Sequence, residues 1–490
     1  VLPMNTGVEG GETAVKLARK WGYLKNKKIF KNIPVIDIAK KGKTISKTKK
    51  NEIIFLNNGV PGDIVDVEVY KKKKKFFLGN IINYKKHSKN KIEPKCEHFD
   101  LCGGCQLQNI SYEFQLKIKS KLVKDNFERI AEIKLNDDIG IVPSDEKYYY
   151  RNKLEFTFSN KRWLTSHEIK TNKKIIKNGL GFHKAGMWDK IIDINNCHLQ
   201  IDISNKIRNF IKIYSNEKNL MFFDHNKKSG LLRNLMIKTT ISGEIMVLIQ
   251  FYINMSLEIK NLLISIKNKF PQINSLLYVI NNKANDTIYD QKIHLFYGKK
   301  FIVEKFGDLS FKISAKSFYQ TNPRQALKLY EIIKDFCRLK GDELIYDLYT
   351  GNGTIAQFIS DKASKIIGID LIDESIKNAI ENSKINNIKN VEFLVGDMKN
   401  IFDEKLIKKY GKPSVIITDP PRNGMHSNVI NEIIKINPEK IIYVSCNSAT
   451  QARDLKILKK HYEISKMKII DMFPQTLHVE NVVLLKKLKL

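Results

Sequence analysis

No run of roughly 20 apolar residues, the length a membrane-spanning helix needs, occurs in these 490 residues, and no charged-then-apolar leader opens them. The expectation is a soluble, cytoplasmic, monomeric protein with no membrane partner. Cysteine is scarce, six in the whole chain and unevenly spaced, which excludes a disulfide scaffold of the secreted kind. Acidic residues are few beside basic ones, 52 against 85, leaving a formal charge of +33 that suits a phosphate-rich partner such as nucleic acid. Only ten of the basic residues are Arg, and the lysines accompany heavy Ile and Asn usage throughout, so net charge alone does not decide the partner.

What is present is enough chain for two to four domains. Residues 1–25 read as a turn and a helix with Ala14, Leu17, Ala18 and Trp21 on one face. This piece resembles a fragment of ornithine aminotransferase, a pyridoxal-phosphate enzyme, and nothing downstream continues the resemblance. It is treated as a non-functional extension. From residue 33 to about 93 come short β-like runs, Val35–Ile38, Glu52–Leu56, Ile64–Tyr70 and Phe76–Ile82, punctuated by Asn57-Asn58-Gly59 and Pro61-Gly62-Asp63. Strands of this length in so little chain suggest a small OB-like barrel, with the Lys71–Lys75 run at a hairpin tip.

Residues 94–310 form a central α+β region that starts with a cysteine cluster. An amphipathic helix is expected over 112–131, strands over Leu154–Phe158, Ile245–Tyr252 and Leu276–Ile280, and helices over Ser204–Tyr214 and Ser256–Lys269. From 311 to 490 the rhythm becomes strand, helix, strand, helix. Ile345–Leu348, Lys365–Asp370, Val391–Val395, Ser414–Thr418 and Lys440–Ser445 read as the strands of a doubly wound, Rossmann-like α/β sheet.

The first of these strands runs into Asp347-Leu348-Tyr349-Thr350-Gly351-Asn352-Gly353-Thr354-Ile355-Ala356. Gly351, Gly353 and Ala356 have the G-x-G-x-x-G/A spacing that lets a backbone approach a ligand closely, and Asp370 ends the next strand, where a carboxylate can take both hydroxyls of a ribose. That pattern serves NAD and S-adenosylmethionine alike. Asp419-Pro420-Pro421-Arg422 closes the fourth strand and Ser445-Cys446-Asn447 the fifth, so both face the ligand edge. Cys446 opens an expected helix, whose start would hold a thiolate below its free pKa of about 8.5. Glu480, in the tail Phe473–Glu480, is the candidate base. Cys337, in a helix before the sheet, reads as a packing residue.

Ser317-Phe318-Tyr319-Gln320-Thr321-Asn322, the Asp347–Gly353 loop, Asp419–Arg422, Ser445-Cys446-Asn447 and the Phe473–Glu480 tail stand in the order and spacing of the RNA uracil-C5-methyltransferase family, which the chain resembles over residues 33–490. The resemblance implies that Gln320, Tyr349, Asp370 and Asp419, with the Gly351 and Gly353 turn, bind S-adenosylmethionine. It also implies that Cys446 adds to carbon 6 of uracil and that Glu480 removes the carbon-5 proton. Two positions depart from the pattern: Thr350, where many members have Cys, and Asp370, where many have Glu. Phe318 or Tyr319 would stack on an extruded base.

Cys96, Cys102 and Cys105 have C-x5-C-x2-C spacing, and Cys197 is a distant fourth thiolate; spacing leaves zinc and an iron-sulfur cluster open, with His98 or His198 as further ligand candidates. The resemblance implies a [4Fe-4S] cluster, identifies 33–93 as like the TRAM domain, an RNA-binding barrel, and makes a specific uracil of 23S ribosomal RNA the expected substrate, ahead of tRNA. A cytosine-C5 enzyme would carry a second cysteine where Asp419–Arg422 stands. A non-catalytic RNA-binding assembly factor would have no need of Cys446, Glu480 and the donor loop together.

Overall fold

Alternating burial in the first β-rich stretch closes a barrel. In the computed structural model, which describes residues 11–18, 28–39, 42–135, 139–171 and 175–488, five strands follow in chain order: β1 (Ile29–Ile38), β2 (Thr44–Lys47), β3 (Ile53–Leu56), β4 (Ile64–Lys72) and β5 (Phe76–Lys86). They close in the order β1-β2-β3-β5-β4 around Ile33, Val35, Ile54, Leu56, Val65, Val67 and Phe77. Strand β2 escapes sequence reading because its two inward side chains are Thr44 and Ser46, which leave no apolar alternation to see. The lysine run sits where expected, with Lys73–Lys75 forming the β4–β5 turn, closed by Lys73 N–H donating to the Phe76 carbonyl at 2.8 Å. Of residues 1–25, 11–18 are helical, and the rest of the expected extension lies outside the described residues.

The chain divides into two compact units, one of residues up to 94 with 106–115, the other of 95–105 and 116 onward. The second contains two sheets. One has seven strands: β7 (Lys153–Ser159), β8 (Gly179–His183), β9 (Ile191–Asp193), β10 (Leu232–Thr239), β11 (Ile245–Phe251), β12 (Ser275–Ile280) and β13 (His294–Gly298), in the order β13-β12-β11-β10-β7-β8-β9. Helices Asp202–Glu217 and Ser256–Lys269 cover one face through Ile207, Ile211, Leu262 and Ile266. On the other face Met236, Met246, Leu248 and Leu277 join a core shared with the hairpin β14 (Phe301–Phe306) and β15 (Leu309–Ser314) and with helix Pro323–Cys337. Strand β11, central and buried along its whole length, is for that reason apolar at every position but Gln250.

The second sheet has eight strands: β6 (Ile141–Val142), β16 (Leu344–Leu348), β17 (Lys365–Asp370), β18 (Val391–Val395), β19 (Val415–Thr418), β20 (Lys440–Ser445), β21 (Tyr462–Ile470) and β22 (Glu480–Lys487). Their order is β18-β17-β16-β19-β20-β22-β21-β6, and β16 to β20 are parallel, as a doubly wound sheet requires. Strand β22 inserts antiparallel between β20 and β21. The short β6, from the segment read as central, pairs with β21, since Ile469 and Ile470 offer it an otherwise open edge. Just before it, Val123, Phe127 and Ala131, at the end of helix Tyr112–Asn126 and in the π-turn Phe127–Ala131, pack on Ala452, Leu455 and Leu458. Cys337 is fully buried, as expected of a packing residue. No described helix is long and apolar enough to cross a membrane.

Candidate active site

The loop after β16 is built by residues in the left-handed region. Tyr349 (φ 63°), Gly351 (φ 56°) and Gly353 (φ 72°) turn the chain sharply before helix Thr354–Ile359. A Cβ on Gly353 would meet Phe393 Cζ at 2.5 Å, whereas one on Gly351 would meet nothing within 4 Å, so the first glycine is needed for its φ and the second for φ and space. Asp370 braces the loop, its Oδ2 accepting Gly351 N–H at 3.0 Å and its Oδ1 accepting Ile372 N–H at 2.9 Å. Those bonds use one acceptor site on each oxygen and leave another on each. Asp347 is buried with the Thr350 hydroxyl donating to it at 2.5 Å, and burial pushes its carboxyl up to about 7.

The 317–322 segment crosses above this loop. Asn352 donates to the Phe318 carbonyl, and Asn152 spans the segment, its side-chain N–H donating to the Gln320 carbonyl at 3.1 Å and its backbone N–H to that of Thr321 at 2.9 Å. Asn322 then caps helix Pro323–Cys337 by accepting Gln325 N–H. Two buried oxygens at this edge, Asn352 Oδ1 and Thr418 Oγ1, have no protein partner, which fits an edge completed by a polar ligand.

Strand register makes the second half of the site. In the antiparallel β20–β22 ladder the last pair is Ser445 with Asn481, so the next step outward sets Cys446 opposite Glu480. In the parallel β19–β20 ladder Thr418 pairs with Tyr443, and Asp419 follows at the same edge. Glu480 is 5% exposed, not a surface carboxylate. Burial pushes it well above the usual carboxylate range, Asp419 adds to the rise, and Arg422 opposes it. Asp419, at a strand end and not a helix cap, is pushed by burial to about 7.

The expected lowering of the Cys446 pKa is overturned. Burial, then the Glu480 and Asp419 carboxylates, raise the thiol to about 11 against the opposing pull of Arg422. The helix also begins later than expected, over Ser448–Leu458, and Asn447 takes the cap position, its side chain accepting Ala449 N–H at 3.2 Å. Asn447 Nδ2 and the Thr450 hydroxyl meanwhile donate to the Arg422 carbonyl at 2.9 and 3.2 Å, tying the Asp419–Arg422 turn to the cysteine loop. Sequence reading gave Arg422, Asn447 and Thr450 no role, although the first two stand inside quoted motifs.

Comparison with known proteins bears on the same edge. The family model for tRNA (uracil-5-)-methyltransferases matches residues 203–488. An uncharacterised RNA methyltransferase of Bacteroides thetaiotaomicron is 46% identical over 453 residues, spanning 92% of this chain and all of that protein, and one of Porphyromonas gingivalis is also 46% identical, over 92% and 98%. The chain belongs to the tRNA (uracil-5-)-methyltransferase family. Among solved structures, the Pyrococcus abyssi tRNA (uracil-54, C5)-methyltransferase in complex with S-adenosyl-L-homocysteine overlays at a TM-score of 0.71, with 26% identity, covering 92% of this chain and all of that one.

In this RNA methyltransferase one expected stacking residue is withdrawn. Tyr319 is buried, with its ring stacked on Phe306 at 5.4 Å, whereas Phe318 is 69% exposed. The four cysteines share a neighbourhood: burial and the charges of Cys197 and Cys96 raise Cys102 to about 11, Cys96 and Cys105 both act on Tyr148, and Cys105 and Cys197 both act on Tyr150. No three His, Cys, Asp or Glu side chains among the described residues are gathered as around a metal ion, so neither the zinc nor the iron-sulfur reading finds a preformed ligand set. The histidines are engaged elsewhere, His98 Nε2 accepting Asn195 N–H at 3.0 Å and His198 Nδ1 lying 2.9 Å from the Tyr149 hydroxyl.

Proposed function

We propose that this chain methylates carbon 5 of a specific uracil in 23S ribosomal RNA through a covalent Cys446 adduct at carbon 6. The observation that carries the reading is that the buried Glu480, one step beyond the Ser445–Asn481 pair, lies close enough to Cys446 for its charge to act on the thiol. Carbon 5 of uracil is too weak a nucleophile to take a methyl group unaided. Adding Cys446 Sγ to carbon 6 moves an electron pair toward carbon 5 and makes it enolate-like. S-adenosylmethionine, when bound, supplies the methyl group as a sulfonium electrophile. The Tyr349–Gly353 turn, Gln320, Asp370 and Asp419 would hold this donor, with the open acceptor sites of Asp370 facing its ribose.

Glu480 then takes the carbon-5 proton, and the returning electrons break the bond from carbon 6 to sulfur. The burial that raises Glu480 also makes it a strong base once ionised. Cys446, a thiol in the free site, would pass its proton to the nearby Asp419 carboxylate as RNA enters, leaving Glu480 ionised for the carbon-5 proton. Phe318, exposed at the rim, stacks on the extruded base.

Cys96, Cys102, Cys105 and Cys197 would hold a [4Fe-4S] cluster, whose irons stand apart and so spread their thiolates wider than a single ion does. It would position RNA and take no part in methyl transfer. The barrel would act as a TRAM-like RNA clamp, with Lys73–Lys75 toward the phosphates. tRNA is the second reading, favoured by the overlay of an archaeal tRNA enzyme on 92% of this chain, barrel architecture therefore not separating the two substrates. Mass spectrometry of both RNA pools from a strain lacking the gene tests the proposal. Loss of one 5-methyluridine from 23S ribosomal RNA is expected, loss from tRNA establishes the second reading, and loss from neither contradicts both.

A further inference from the structure

Behind the 317–321 segment lies a cavity of about 310 Å³, of whose lining the chemistry above uses only Phe318, at the rim. Its floor is the face of the seven-stranded sheet, with Asn234 and Met236 on β10 and Leu248 and Gln250 on β11, and its walls are the 286–289 loop and residues 315–319. We propose that this cavity receives a second nucleobase of the RNA, one flanking the target uracil, and that the Gln250 carboxamide reads its edge.

Gln250 is 4% exposed, yet its Nε2 donates to nothing in the protein. A buried carboxamide left unpaired destabilises a fold, so its presence on a cavity floor points to a ligand that completes it. Tyr319 lines the same cavity, and its hydroxyl is likewise buried without a partner. The volume stands at the small end of ligand pockets, room for one base and not for a dinucleotide. The cations at the walls, Lys153, Lys238 and Lys316, each have protein partners, Lys316 lying 3.8 Å from Glu374. Lys238 spends its ammonium on the carbonyls of Ser314, Ala315 and Ser317 at 2.9 to 3.1 Å, and Lys153 pairs with Glu155 at 2.7 Å. A carboxamide beside Met236, Leu248, Ile302 and Ile313 matches the flat face of a base whose edge sets a donor beside an acceptor. Exposed Phe318 and Tyr289, 69% and 62% accessible, stand at the rim, where a base leaving its stack would pass. Lys238 also fixes residues 314–317 at the edge of this cavity.

The inference rests on RNA being the substrate but not on Cys446 chemistry, so its test is a binding selection. A hairpin library with a loop randomised around a fixed uridine is bound to the full chain with S-adenosylhomocysteine, and the retained RNA is sequenced. Wild type should enrich one base at one flanking position by roughly tenfold, and Gln250→Leu should lose that preference while keeping overall binding and thermal stability. Should Gln250→Leu fail to fold, Gln250→Glu, which replaces the donor by an acceptor in the same shape, must change the preferred base. Equal profiles for wild type and variant, or no flanking preference in wild type, overturn the proposal. In a second library with all four bases at the fixed position, loss of uridine preference in Gln250→Leu would also overturn it, because the cavity would then be the seat of the target.

Discussion

At the carboxyl edge of the eight-stranded sheet, reactive side chains are brought together by ladders: Cys446 faces Glu480 because Ser445 pairs with Asn481, and Asp419 follows because Thr418 pairs with Tyr443. The four cysteines of the same unit stand outside the named strands, Cys102 in an isolated bridge with Lys184 and the others in irregular loops, and interact through charge without forming a ligand set around one point. Register builds a site whether or not a ligand is present. Loop cysteines, by contrast, are drawn into one ligand set only by the metal they bind. The first region should therefore fail by chemistry when altered, and the second by assembly.

The largest effect expected is on the register-built site. Glu480→Gln should lower kcat by about 10²–10⁴-fold with little change in melting temperature, and methylated RNA should remain attached to Cys446, read as a mass increment on the protein. Next comes assembly: under the proposed cluster, wild type should purify anaerobically with iron and visible absorption and Cys102→Ser without them, while the sheet edge still binds S-adenosylhomocysteine. Full iron content in that variant would erase the contrast between the regions. Gly353→Ala, which sets a Cβ against Phe393 at a left-handed φ, should cost about 1–3 kcal/mol and weaken donor binding. Gly351→Ala, strained only in φ, should cost about 1 kcal/mol, both read by thermal melts.

The smallest effect is a pH dependence. Asp419 binds its proton more tightly when folded, with a pKa of about 7 against an ordinary 3.8. Its contribution to stability is complete below about pH 4, is lost as the unfolded chain ionises between pH 4 and 7, and stays lost above. Asp419→Asn should then melt higher than wild type at pH 8 by roughly 1–3 kcal/mol, a gap that closes near pH 4. A gap that widens in acid would contradict the burial of this carboxylate.

The parallel strands β16 to β20 were legible because each is a short apolar run ended by a motif, and the motifs fall on one edge by topology alone. Strand β2 was not, since its inward residues are hydroxyls, and neither was β6, two residues long and defined only by the edge it completes. Cys446 and Glu480 could be named from sequence, but their electrostatics could not. The helix start that seemed to favour a thiolate belongs to Asn447, and two carboxylates supplied by other strands dominate the thiol. Tyr319 looked as available as its neighbour Phe318 until packing put one ring on Phe306 and left the other in solvent.

Trapping with RNA that carries 5-fluorouridine reaches the central claim most directly, because fluorine at carbon 5 blocks the proton removal that must precede release of the cysteine. With S-adenosylmethionine present, wild type should form a denaturation-resistant adduct whose RNA maps to the peptide bearing Cys446, and Cys446→Ala should form none. An adduct that persists in Cys446→Ala, or one that maps to another cysteine, would contradict the account.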